Sequence, residues 1–92
     1  MHEKYREELS RIFTQAENRR ELETLIEGLL TPGEIEEAVF RWRLMKRLLR
    51  GDTHRKISSD LGVSLGKIAR GSRLLKYGPE EFRELVESFD IE

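Results

Sequence analysis

Between His54 and Leu75 the chain spaces an apolar Ile57, a small Ser58, an apolar Leu61, a glycine at 62, an apolar Val63 and an apolar Ile68. That order suits two short helices joined by a tight corner. Gly62 supplies the positive φ that ends the first helix. Val63 plugs the corner, and Ser64 caps the second helix with its hydroxyl. Such a helix-turn-helix lets the second helix enter a DNA major groove by its N-terminal turn, while the first crosses the backbone. Small Gly66 and Ala69 would bring that helix close to base edges. Arg55, Ser64, Leu65, Gly66, Lys67, Ala69, Arg73 and Lys76 are therefore the candidate DNA-binding residues, with Arg55, Lys56, Lys67, Arg73 and Lys76 surrounding the helix as phosphate partners and Lys67 placed to meet a base edge or a phosphate.

Charge points the same way. The net charge of -1 conceals a segment, residues 41–76, that holds eleven Lys/Arg against only Asp52 and Asp60, giving +9. The rest holds six basic and sixteen acidic residues, or -10. A basic centre between acidic arms suits a polyanion, although a charge run can equally be a solvated helix face. Enzyme chemistry has little to stand on. His2 is terminal, and His54 has no cysteine or acid at metal or triad spacing, so neither catalytic nor metal residues are expected. Adjacent acids such as Glu36-Glu37 and Glu80-Glu81 point apart around a helix and read as solvated surface. With no cysteine the chain fits a reducing cytoplasm. Uncharged runs reach six residues, short of the ~20 of a membrane span or the ~7–15 of a signal-peptide core.

The elements that must position these residues are all helical. No segment alternates with period two, and β-branched residues are sparse. Six helices are punctuated by start and stop signals, within a single domain of residues 1–92. The first spans about 3–16, with Tyr5, Leu9, Ile12, Phe13 and Ala16 on one stripe. Asn18 and Glu21 open the second, which carries Leu22, Leu25, Ile26 and Leu29. Thr31, Pro32 and Glu34 supply the N-cap, N1 and N3 residues of a third, expected to run to Arg50 and stop at Gly51, about 28 Å long. Residues 53–61, 64–77 and 79–89 form the rest.

The third helix is apolar on two sides. Ile35, Ala38, Val39, Trp42, Met45 and Leu49 share one face, while Phe40, Leu44 and Leu48 lie opposite. A small chain has few elements to cover both, so a homodimer centred on this helix is expected, with Trp42 in its core. Residues 1–51 and 79–89 are then dimerisation helices, and 53–77 the helix-turn-helix.

Four further stretches make the pattern specific: Leu-Leu-Thr-Pro-Gly-Glu at 29–34, Leu-Leu-Arg-Gly-Asp at 48–52, Leu-Gly-Val-Ser at 61–64 and Ile-Ala-Arg-Gly-Ser at 68–72. Together they resemble the bacterial tryptophan repressor family over roughly residues 20–89. The resemblance implies an all-α, intertwined homodimer that binds L-tryptophan as corepressor and then an operator palindrome. It implies that the planes of Arg41 and Arg70 sandwich the indole and that Gly71 leaves room beside the ring. Thr31 and the Leu30 carbonyl of the other subunit would meet the ligand's polar atoms. Stacking arginines that also bind a carboxylate suit such a ligand.

Leu74 stands where family members place a small hydroxyl residue against the ligand's amino group, and Gly28 replaces a leucine. Residues 73–78 also resemble a tryptophan-repressor-like branch. The leading expectation is a cytoplasmic DNA-binding repressor of tryptophan biosynthesis or uptake genes, with L-tryptophan as corepressor and no catalytic cofactor. The alternatives are a constitutive or differently gated regulator, with Leu74 filling the pocket, and, from another class, a helical adaptor whose basic centre meets an acidic protein.

Overall fold

The computed structural model describes residues 2–91, apart from the side chain of His2. Six helices follow one another, with no strand among the described residues: α1 (His2–Thr14), α2 (Arg19–Leu29), α3 (Pro32–Leu49), α4 (His54–Leu61), α5 (Leu65–Tyr77) and α6 (Glu80–Ser88). The all-α expectation holds, and the helix limits lie within two residues of those expected.

The limits follow from capping chemistry. Asn18 accepts the Glu21 N–H at 2.9 Å to start α2, and the Glu21 carboxylate accepts the Glu17 N–H at 2.9 Å. Thr31 and Glu34 make both bonds of a capping box, Glu34 N–H to the threonine hydroxyl at 3.1 Å and Thr31 N–H to the glutamate at 2.8 Å. The far end of α3 closes in a Schellman motif. Gly51 adopts φ 93°, its N–H donates to the Leu48 carbonyl, and the Asp52 N–H donates to that of Arg47. Arg50, expected to be helical, is the residue just before that glycine and lies outside α3.

The chain divides into two units, residues 1–35 and 36–92. In the first, the apolar stripes of α1 and α2 are present but thinly covered. Tyr5 and Leu29 are more than half exposed, Leu9 and Ile12 are exposed, and α2 buries no residue fully. In the second unit a core forms from Leu44 and Met45 on α3, Ile57 on α4, Ile68 and Leu75 on α5, and Val86 on α6. Trp42, Leu48, Leu49, Leu61, Val63 and Phe82 pack against it.

This core revises the argument made from the two faces of α3. Leu44 from one face and Met45 from the other are both buried within the chain, because α4, α5 and α6 supply the cover. Further toward the N-terminus of α3, Val39 stays 42% exposed. Trp42 is partly buried, as a core residue with a polar handle should be. Its ring meets Phe89 at 5.8 Å between centroids, and its indole N–H donates to the Ile91 carbonyl at 2.8 Å. Lys46 donates to the carbonyls of Val86 and Phe89, placing a cation on the C-terminal end of α6.

Gly71 sets how closely α5 approaches α3. A Cβ at this buried position would lie 2.6 Å from Leu44 Cδ1 and 3.3 Å from Met45 Cε. Both neighbours are themselves buried, so they have little room to yield. Gly71→Val should therefore cost about 1–3 kcal/mol, read as a lowered urea midpoint. A midpoint equal to that of the unaltered chain would show that the two helices are not held at this distance.

Candidate nucleic-acid interface

The corner of the helix-turn-helix is built as its residues dictate. Thr53 accepts the Lys56 N–H at 3.2 Å to cap α4. Gly62 sits in the left-handed region at φ 66°, ψ 29°, and its N–H donates to the Ser58 carbonyl. Ser64 then accepts the Lys67 N–H at 3.2 Å and starts α5. Ile57 and Ile68 are wholly buried on either side of the turn, and Val63 is half-buried between them in sequence. These contacts fix α4 and α5 as a pair.

Arg47 ties that pair to α3. Its guanidinium, 16% exposed, donates to Asp52 in the connecting turn and, at 2.7 Å, to Asp60 of α4. The hydrogen bond from Arg47, with smaller help from the charges of Lys56 and Arg47, holds the Asp60 carboxyl below its ordinary value near 3.8. One of the eleven cations of the basic segment is thus spent internally, and so is the pair of acids that the segment contains.

The first turn of α5 presents Leu65, Gly66 and Lys67 as exposed residues, with Leu65 at 51%. Nothing lies nearer than 3.9 Å to where a Cβ on Gly66 would stand. The Ser64 hydroxyl is occupied as the cap, and Ala69 is half-buried rather than fully presented. Arg55 on α4 and Arg73 and Lys76 on α5 are exposed and make no ion pair among the described residues. Lys56 lies 3.9 Å from Asp60, a loose contact that leaves it 65% exposed.

The residues expected at an effector pocket fall in both units. Leu30 and Thr31 lie in the first, and both polar backbone and hydroxyl groups of Thr31 are engaged in the capping box. Arg41, Arg70, Gly71 and Leu74 lie in the second. Arg70 is exposed and makes no ion pair among the described residues, whereas Arg41 lies 3.3 Å from Glu37. The open face expected at Gly71 is filled by Leu44 and Met45, because α5 packs so near α3 there. Leu74 is 40% exposed, and its carbonyl and side chain crowd Gly78, where a Cβ would lie 2.4 Å from that carbonyl oxygen.

Sequence reasoning missed Glu37. Its place beside Glu36 reads as solvated surface, but its carboxylate also meets Lys67 of α5 at 3.4 Å. The spacing of Glu37 and Arg41, four apart on a helix, was a legible signal for the first contact. The second joins residues thirty apart, and no local pattern announces it.

Residues 5–90 match the family described as Trp repressor protein. Among curated relatives, a "Trp operon repressor homolog" of Chlamydia trachomatis serovar L2 is 34% identical over 67 residues, covering 72% of this chain and 71% of that protein. One of the same description from Vibrio cholerae serotype O1 is 40% identical over 68 residues, 73% and 66% of the two chains. Another, from Photobacterium profundum, is 33% identical over 78 residues, 84% and 76%.

The Arg47–Asp60 pair has a pH signature. A carboxyl whose pKa is depressed in the folded state stabilises the fold above its ordinary value and loses that contribution as pH falls through the depressed one. Stability should therefore drop as pH is lowered from about 5 to below 3.8, and Asp60→Asn should flatten part of that drop. Urea midpoints across the range measure it. An unchanged profile in the variant would remove the pair from the list of what holds α4 in place.

Proposed function

Because the chain belongs to the Trp repressor family, a family of regulators, we propose that it is a DNA-binding transcriptional repressor that acts as a homodimer on a palindromic operator. The observation that carries this reading is the capped and exposed first turn of α5, with Arg55, Arg73 and Lys76 exposed on the same helix pair and making no ion pair among the described residues. Two such helices in a dimer would reach successive major grooves about 34–36 Å apart. The uncovered apolar residues Tyr5, Leu9 and Ile12 of α1 and Leu29 of α2 support dimerisation, since exposed apolar surface of that kind invites a partner face.

The proposed corepressor is L-tryptophan, held between Arg41 and Arg70 with Leu74 alongside and with Leu30 and Thr31 contributed by the second subunit. Tryptophan biosynthesis or uptake genes are the proposed targets. Ligand would act through its higher affinity for the DNA-competent arrangement of α5. Two observations favour a second reading, a regulator gated otherwise or not at all. Leu74 brings an apolar side chain where a polar partner for the ligand's amino group would be wanted, and Leu44 and Met45 fill the face of Gly71.

Selection of duplexes from a random pool, with and without L-tryptophan, tests both readings. A palindrome recovered only with the amino acid supports the corepressor; a palindrome recovered equally without it supports the second reading; no enriched sequence defeats both. Calorimetric titration should show L-tryptophan binding that Arg70→Leu weakens roughly 10- to 150-fold, the range expected for a lost hydrogen bond to a charged group. Leu74→Ser should tighten it.

Gly66→Ala separates interface from fold. With open space at its Cβ, the change should leave stability equal or raise it by up to about 1 kcal/mol. It should weaken binding to the selected duplex by obstructing the groove approach. Arg55→Ala should weaken binding to every sequence alike and lower the salt slope by roughly one.

A further inference from the structure

Glu37 holds two cations with one atom. Its Oε1 lies 3.3 Å from Nη2 of Arg41 and 3.4 Å from Nζ of Lys67. Arg41 is one turn further along α3, while Lys67 stands in the first turn of α5, the turn that the proposed function sends into the major groove. All three side chains remain about half exposed, so the cluster is open to an incoming anion. A single oxygen that accepts from a lysine and lies in ion-pair range of an arginine offers them what a DNA phosphate oxygen would offer. Without it the two cations, each within 3.4 Å of that oxygen, would repel one another.

We propose that Glu37 is an intramolecular competitor of the DNA backbone, occupying Lys67 as a phosphate would, so that DNA binds the recognition helix only by displacing it. The inference rests on the DNA-binding reading and names the residue that sets its baseline affinity. Glu37 weakens binding to DNA in general, and the sequence-specific contacts of α5 must make up the difference. Exposed ion pairs are weak, which suits a latch that opens on encounter rather than a lock.

Glu37→Gln keeps the shape of the side chain and removes its charge. Binding of the full chain to a short labelled duplex of mixed sequence, followed by fluorescence anisotropy, should tighten by about two- to fivefold for each recognition helix engaged. Two helices acting together should give roughly 4- to 25-fold. The salt slope should steepen by up to about one unit per helix, because displaced Glu37 no longer takes up a cation when DNA binds.

Removing any negative charge near DNA would also help, so the decisive comparison uses Lys67→Gln as background. If Glu37 acts through Lys67, the gain from Glu37→Gln disappears there. An equal gain in both backgrounds, or none in the unaltered one, overturns the latch while leaving the DNA-binding reading intact. Failure of the unaltered chain and of every variant to bind any duplex overturns the reading and the latch together.

Discussion

Absence of a side chain at Gly71 lets α5 lie against α3 with Leu44 and Met45 directly beneath it. Everything at the interface depends on that approach. Ile68, one turn earlier on α5, reaches the same core and is wholly buried there with Ile57 of α4. With two helices fixed on a third by fully buried side chains, the corner at Gly62 has one low-energy shape. The N-terminal turn of α5 is then held out from the core, with its glycine exposed and its lysine meeting only the exposed Glu37. A larger residue at position 71 would move the helix and everything that it presents.

The same packing sorts the cations. Composition sees eleven in one segment, all alike, and the structure gives them different work. Arg47 is mostly covered and bonded to Asp52 and Asp60, which makes it a brace between α3 and α4. Lys46 sits on the carbonyls that end α6. Arg41 and Lys67 share Glu37. Arg55, Arg70, Arg73 and Lys76 keep their charge exposed. A brace that is mostly covered is screened less by solvent, whereas an exposed pair is screened and readily replaced. The division between structural and available charge is therefore a matter of depth.

Apolar surface is sorted in a parallel way. The second unit gathers its hydrophobic side chains into one cluster, while α1 and α2 keep theirs at partial cover. Leu85 of the last helix and Phe89 at its C-terminal cap are exposed although Val86 between them is fully buried. A helix with one face in the core and another left open can serve both the fold of its own chain and an assembly.

Local chemistry was legible from the residues alone. Caps at Asn18, Thr31 and Ser64, the left-handed glycines 51 and 62 and the apolar period of each helix depend on neighbours within four or five positions, so the sequence by itself determined six helices, their limits and the corner of the helix-turn-helix. It also carried the motifs by which the family is known. Tertiary structure alone decided what depends on separation along the chain. It brought Lys67 to Glu37, Arg47 to Asp60 and Lys46 to the end of α6, buried both faces of α3 at Leu44 and Met45, and turned the glycine at 71 from open space into a contact. The physical reason is range. A cap or a helical stripe is a relation among near neighbours that the backbone repeats, while a contact between distant residues exists only once the core has chosen which helices touch.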